Sequence, residues 1–390
     1  MLNWVGLTWG ISNRFGWGIY GLNLVLELLK RGGPIPICLD NIATNSMPKE
    51  MINTLEPVIS FQREHLKHMH RTGSVATLKN TMLLHALGNN LDWNLLSHSF
   101  VGDANVGIIF FEYDDFSPPA LERAKRLNSI VAGSTWNAKV LRNRGFENVR
   151  SVFQGVDTNL FRPIPRKGIY KGRFTIFSGG KLDFRKGQDI VLPAFRIFSE
   201  KYPDALLVSA WHNLWPLTAL PMIRSPHSDL LPDVDVNGML KIKNWATSHG
   251  IKNDNFIDLG MLPNEQMPDI LKEVDLAVFP NRCEGGTNLV AMETMACGVP
   301  CIIADNTGQK DLIERGNCYK LGEMGKVASD DPGTDDWGET SVDELVATME
   351  LAYHDRGERQ RRGQAGADFI RTWTWSSQIS QLLDTLEEFC

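Results

Sequence analysis

Residues 276–304 read LAVFPNRCEGGTNLVAMETMACGVPCIIA, and this stretch decides the fold class. It opens and closes on short apolar runs, 276–279 and 300–304, that do not alternate with polar residues. Such runs are expected of strands covered on both faces. Between them Thr287 or Asn288 caps a helix running to about Cys297, Gly298 stands at the helix end, and Pro300 follows two residues later. Strand, helix and strand in that order make a parallel unit with a right-handed crossover. The same alternation extends outward. Strands are expected at 3–8, 35–39, 106–111, 129–132, 174–177, 205–209 and 255–259, with helices at 20–30 and 120–127 among those between them. The class is therefore α/β with parallel sheets.

A chain of 390 residues, at about 150 per domain, holds two or three domains. The composition shifts at residues 162–171, RPIPRKGIYK, and a new strand–loop–helix start follows at once, which reduces the count to two. The net charge of −6 argues against a dedicated nucleic-acid binder, which carries a basic domain, but permits a local anion site. The six cysteines are scattered without a C-x-x-C and read as reduced, buried hydrophobes. No run of 18 apolar residues is present, and Trp9, Asn13 and Arg14 interrupt any leader-like stretch, so a cytoplasmic location is expected.

Three glycine-bearing loops hold the chemistry. In the first, Gly16, Gly18 and Gly21 form a G-x-G-x-x-G between a strand and a helix, with Asp40 closing the next strand. Residues 12–15 make this loop longer than the dinucleotide turn, so both phosphate or substrate contact and NAD binding stay open. In the second, SGGKLDFRKGQDIVLPAF (178–195), Gly179 and Gly180 follow a strand, and Lys181 and Lys186 offer point charges suited to a diphosphate. In the third, the helix start at Thr287–Asn288 is an anion site by virtue of its unpaired N–H groups, and Glu293 lies within that helix. A carboxylate there accepts from a diol or sits in a structural ion pair. His65, His68 and His70 have poor metal spacing, and the Asp233-Val234-Asp235 triplet falls in an insertion, so no metal site is assigned.

Four segments resemble one family. EGGTNLVAMETMACGVPCIIADNTGQKDLI (284–313) resembles the donor-site signature of family 4 retaining glycosyltransferases with the GT-B fold. GGKLDFRKGQDIVLPAF (179–195), FQGVDTNLFRP (153–163) and LPNEQMPDILKEVDLAVFP (262–280) resemble further elements of the same family in the same order. The resemblance implies two Rossmann-like domains facing each other across a cleft, with a C-terminal helix crossing back to the first. The acceptor domain would take 1–165 with 373–390, and the nucleotide-sugar domain 166–372. It also implies transfer of a sugar from a nucleotide-diphosphate-sugar to a saccharide, lipid-linked or protein acceptor, with retention at the anomeric carbon. No cofactor or obligatory metal and no nucleic acid would take part, and peripheral contact with the inner membrane face stays open.

Residue by residue, the resemblance assigns Lys181 and Lys186 to the donor diphosphate, together with Gly180, Gly285, Gly286 and the helix start at Thr287, Asn288 and Leu289. Glu293 matches the glutamate that holds the ribose, Met261 and Leu262 match the loop flanking the base, and Gly16 and Gly18 match the acceptor-domain glycine loop. Two departures stand out. Glu284 and Glu293 are separated by eight residues where the family's pair has seven, with glycine at 285. Glu112, at the end of IIFFEYDDF, occupies the place where many members carry a histidine. A carboxylate there can stabilise an oxocarbenium-like charge or orient the acceptor hydroxyl, and Glu284 keeps a possible reach to the sugar hydroxyls. Two rival readings remain: an NAD-dependent oxidoreductase built on GWGIYG, and a catalytically silent relative that binds the nucleotide-sugar or a partner.

Overall fold

The structure is a computed structural model and describes residues 3–69, 75–212 and 214–389. His70 of the histidine cluster lies outside the described residues. The chain divides into two compact units, Met1–Gly155 with Trp373–Cys390, and Val156–Thr372. Residues 162–171 belong to the second. Arg166 pairs with Asp275 at 2.7 Å there, and the Gly168 and Ile169 N–H groups donate to the Glu273 carboxylate at 2.8 and 3.2 Å.

In the first unit the elements run β1 (Trp4–Leu7), α1 (Gly16–Arg31), β2 (Ile35–Cys38), α2 (Lys49–Met69), β3 (Ala76–Leu87) and α3 (Leu95–Ser99). They continue with β4 (Phe100–Ile109), α4 (Pro118–Ala124), β5 (Ser129–Ala132), α5 (Thr135–Asn143) and β6 (Val149–Ser151). The strands form one parallel sheet in the order β2-β1-β3-β4-β5-β6. Strand β3, between β1 and β4, is absent from the sequence reading. Its first half is polar, and its apolar half is broken by His85, a fully buried residue whose Nε2 lies 3.0 Å from Asn105 Oδ1.

The glycine triplet needs correction. Helix α1 begins at Gly16 and not at residue 20, so Gly16, Gly18 and Gly21 lie in the first turns of the helix and not in the loop before it. Two of them serve close packing. A Cβ on Gly18 would lie 2.7 Å from Ser12 Cβ, and one on Gly21 would lie 2.7 Å from Trp9 Nε1, whereas one on Gly16 would meet nothing within 4 Å. The Trp9 indole, itself buried, donates to the Trp17 carbonyl at 3.1 Å and so locks the first turn of α1 to the end of β1.

The second unit runs β7 (Phe174–Gly179), α6 (Gln188–Lys201), β8 (Ala205–Ala210), α7 (Ile242–Ser248), β9 (Phe256–Asp258), α8 (Met267–Leu271) and β10 (Leu276–Phe279). Then follow α9 (Leu289–Ala296), β11 (Cys301–Ala304), β12 (Tyr319–Leu321), β13 (Met324–Gly325), β14 (Glu339–Thr340), α10 (Val342–His354) and α11 (Arg356–Ile370). Its parallel sheet has the order β12-β11-β10-β7-β8-β9. Strands β7, β10 and β11 are buried at every position, as the unbroken apolar runs of β10 and β11 require. The chain leaves β7 toward β8 on one side and later returns to β10 on the other. That reversal opens a crevice at the carboxyl ends of β7 and β10, where open α/β sheets bind ligands.

Helix α12 (Trp375–Leu386) buries Trp375, Ile379, Leu382 and Leu386 in the first unit. It is fastened to α1 by Arg31, whose Nη2 donates to the Ser376 carbonyl at 2.7 Å and to Ser380 Oγ at 2.9 Å. Gly155 lets it approach, since a Cβ there would lie 2.4 Å from the Trp375 backbone. Among the described residues no helix is long and apolar enough to cross a membrane.

The two helical glycines predict opposite outcomes. Gly21→Ala should cost about 1–3 kcal/mol through overlap with Trp9, whereas Gly16→Ala should be neutral or slightly stabilising, because helix entropy improves and no contact is strained. Urea titrations of the two variants measure the contrast, and equal destabilisation would contradict the assigned packing roles.

Candidate active site

The crevice of the second unit is lined by the segment after β7 (residues 180–187) and the segment after β10 (residues 280–288). Their relative position is fixed by buried polar contacts. Gly187 has φ +69 and lies so close to the Pro280 carbonyl that a Cβ would sit 2.4 Å from its oxygen. Glycine alone provides both the left-handed backbone and the clearance. Beneath it the Arg282 side chain is fully buried. Its Nη1 donates to the Phe184 carbonyl at 2.6 Å and to Asp189 Oδ1 at 2.7 Å, and its Nη2 to Asp189 Oδ2 and Glu339 Oε1, both at 2.7 Å. Nε reaches Glu339 Oε2 at 2.5 Å. Burial alone would weaken the arginine charge, but Asp189 and Glu339 more than compensate and hold the guanidinium protonated.

On this base sits a cluster of opposite charges. Glu284, 5% exposed, takes Lys186 Nζ and Asn281 Nδ2 on Oε1 and Arg185 Nη1 at 3.1 Å on Oε2. Its burial would favour the neutral acid, yet Lys186 and Arg185 hold it below the usual carboxylate range. The backbone of Glu284 is equally fixed: its N–H donates to Thr307 Oγ1 at 2.9 Å and its carbonyl accepts from Gly308 N–H at 2.9 Å. Lys181 is more open, with Nζ 3.3 Å from Asp183 Oδ2. Gly180, at φ +111, stands against the Lys186 side chain.

Helix α9 points its N-terminus at the same crevice edge. Asn288 adopts φ +64 and caps the helix, Oδ1 accepting from Ala291 N–H at 3.3 Å. Its Nδ2 is buried without a partner, a donor left over at the positive end of a helix. Thr287 is fully buried with Oγ1 3.0 Å from Met292 Sδ, and Gly285, Gly286 and Leu289 are buried beside it. One turn further on, Glu293 accepts from Asn264 Nδ2 at 2.7 Å, and burial pushes its carboxyl up to about 8 despite that bond. Met261 and Leu262, both half-buried, lie between β9 and α8.

The second unit thus gathers Gly180, Lys181, Lys186, Glu284, Gly285, Gly286, Thr287, Asn288, Leu289 and Glu293 around the ends of β7 and β10, with Met261 and Leu262 following β9. Gly16, Gly18 and Glu112 belong to the first unit, where Glu112 is half-buried and its N–H donates to Asn89 Oδ1 at 2.8 Å. Sequence reasoning missed Arg185, Asn281, Arg282 and Asn264. Arg282 carried one signal, a lone cation between an apolar strand and a glycine loop, but its partners lie 93 and 57 residues away.

This arrangement, two Rossmann-like units with a cationic crevice at the switch point of the second, defines a GT-B fold. Residues 162–329 match the family model described as Glycosyl transferases group 1. It is 27% identical over 217 residues to a D-inositol 3-phosphate glycosyltransferase 1 of Catenulispora acidiphila, covering 52% of this chain and 48% of the relative. To a mannosylfructose-phosphate synthase of Agrobacterium fabrum it is 24% identical over 250 residues, covering 62% and 48%. The chain spans about half the length of these curated relatives. Among solved structures, Anabaena Alr3699/HepE in complex with UDP superposes with a TM-score of 0.63 at 14% identity, covering 99% of both chains. A sucrose-phosphate synthase from Thermosynechococcus elongatus gives 0.65 at 14%, covering 99% of this chain and 98% of the other. These likenesses show the fold.

Two predictions follow from the geometry. Arg282→Met leaves Asp189 and Glu339 buried without their cation and should cost about 3–5 kcal/mol, read as a lower urea midpoint. For Glu293, the folded carboxyl holds its proton to about pH 8 while the unfolded one releases it near 4.5. Its contribution to stability is therefore full below about 4.5 and is lost as pH rises toward 8. Glu293→Gln removes that dependence, so the melting temperature of the ligand-free variant should gain on the parent steadily between pH 5 and 8.5. A difference independent of pH would contradict the assignment.

Proposed function

We propose that the protein transfers a sugar from a nucleoside-diphosphate-sugar to an acceptor hydroxyl with retention of anomeric configuration, in glycan or glycoconjugate synthesis. One observation carries this reading: Lys181, Lys186 and the unpartnered Asn288 Nδ2 stand with the α9 N-terminus at the switch point of a group 1 glycosyltransferase domain. These groups suit a diphosphate that gains charge as its bond to the anomeric carbon breaks. Preorganised donors stabilise such a change without having to reorient. The UDP in the HepE structure makes uridine nucleotides the first donors to try.

In this reading Glu293 takes the ribose hydroxyls, and the protonated state favoured by its burial lets it donate as well as accept. Glu284 acts on the donor through the two cations it positions. The departing phosphate oxygen takes the acceptor's proton. Glu112, in the first unit, orients the acceptor or faces the developing positive charge on the sugar. The reaction runs on protein cations, with no obligatory metal, and the acceptor is a saccharide, a lipid-linked group or a protein. Cytoplasmic residence, with contact at the inner membrane face, fits a nucleotide-activated donor.

Nucleotide release from UDP-, GDP- and ADP-sugars, with and without EDTA, tests the proposal. Turnover in the presence of EDTA with one donor is expected. Binding without sugar release would identify a silent relative, and NADH binding without nucleotide-sugar binding would overturn the assignment. Lys186→Ala should weaken donor binding by about two orders of magnitude. Glu112→Gln should lower turnover by about 10²-fold or more with donor affinity unchanged; parental turnover would remove Glu112 from the chemistry.

A further inference from the structure

His212 follows Trp211 at the carboxyl end of β8, next to β7 in the sheet. The Trp211 carbonyl accepts from Leu182 N–H at 2.8 Å, and the Ala210 carbonyl from Gly180 N–H at 3.1 Å, so this corner is tied directly to the Lys181 loop. The His212 side chain is only 8% exposed. Its Nε2 lies 2.8 Å from Asp258 Oδ2, at the end of β9. A carboxylate accepts and does not donate, so Nε2 carries the proton, and in the neutral ring Nδ1 is a lone-pair acceptor. Nδ1 is buried and has no partner. His85 also has an unbonded Nδ1, but it lies in the core of the first unit, whereas His212 stands at the carboxyl edge of the sheet, beside the Lys181 loop.

The same carboxylate leads to a second set of unused groups. Asp258 Oδ1 accepts from Gly260 N–H at 3.1 Å and so fixes the turn that opens the next loop. Among the described residues, the N–H groups of Met261 and Leu262 in that loop have no protein acceptor. The carboxyl edge of β8 and β9 therefore offers one buried acceptor and two backbone donors. Uracil presents the complement: a single N3–H between two carbonyl oxygens. Guanine presents one carbonyl beside two kinds of N–H, and adenine an amine beside a ring acceptor, and neither matches one acceptor with two donors.

We infer that His212 reads the donor's base, its Nδ1 accepting the N3–H of uracil while N–H groups of the 261–262 loop bond the flanking carbonyls. This rests on the nucleotide-sugar reading given above and assigns its base. Asp258 is the positioning residue, since it selects the tautomer that makes Nδ1 an acceptor. Adenine or guanine, with one acceptor on that edge, would leave one of the two loop donors unbonded.

Calorimetric titration of the full chain with UDP and with N3-methyl-UDP tests this, because the methyl group removes the one N–H in question. The parent protein should bind N3-methyl-UDP at least about ten-fold more weakly than UDP. In His212→Phe the two ligands should bind within about two-fold of each other, with UDP weakened toward the level of N3-methyl-UDP. Equal affinities in the parent, which need no variant to observe, would overturn the inference, as would a preference that survives in His212→Phe. Binding of GDP or ADP in place of UDP would also overturn it while leaving the proposed function intact. Failure to bind any nucleoside diphosphate would defeat both.

Discussion

The second unit depends on one buried cation. The Arg282 guanidinium has five N–H donors, and five bonds use them: one to the Phe184 carbonyl, two to Asp189 and two to Glu339. A sixth contact comes from the Phe184 ring, whose centroid lies 4.0 Å from the guanidinium carbon. An unpaired charge at this depth would be prohibitive, and a lysine has neither the donors nor the planar fork to satisfy so many partners. The three segments it joins are the loop after β7, the start of α6 and strand β14. Because Arg282 is two residues before Glu284 and Phe184 is two before Lys186, the guanidinium also sets the spacing of the two loops that meet above it.

That spacing explains why the charges above it are ready before any ligand arrives. Glu284 holds Lys186 and Arg185 against mutual repulsion, so the crevice keeps its cations in place at moderate cost. On the function proposed above, an incoming diphosphate would meet a lysine already aimed, a second lysine on the open side, and the end of a helix with a leftover amide donor. Each is fixed by a contact to the protein, so little ordering entropy is spent on binding. Glu293 behaves differently. With one neutral hydrogen bond and no cation beside it, its carboxyl rises to about 8. Two glutamates nine positions apart thus take opposite ionisation states, because one has cations beside it and the other has none.

Much of this was legible in the chain because local rules agree with the fold. The unbroken apolar runs at β10 and β11, the Asn288 cap, Gly298 and Pro300 after α9, and the lysines after β7 each follow from short-range pattern. What escaped has long-range causes. The partners of Arg282 and Glu284 come from segments about a hundred residues apart, and no spacing rule reaches that far. Strand β3 escaped because its core histidine is stabilised by Asn105 on the neighbouring strand, a pairing that only the folded sheet reveals. The GWGIYG stretch reads as a loop but is helical, and its packing role escaped for a related reason: the contacts of Gly18 with Ser12 and of Gly21 with Trp9 are visible only in the fold.

The division of the chain also fixes an order of assembly. The second unit is one continuous stretch, Val156–Thr372, whereas the first is built from two ends of the described chain. Helix α12, which covers α1 and seats Trp375 against Gly155, emerges during synthesis only after the whole of the second unit. Nascent chains fold unit by unit from the N-terminus, yet here the N-terminal unit must wait with the apolar face of α1 uncovered while the whole of the second unit is made. The second unit can therefore be complete before the first one is. Until α12 arrives, the uncovered face of α1 is the surface that needs protection from non-native contacts.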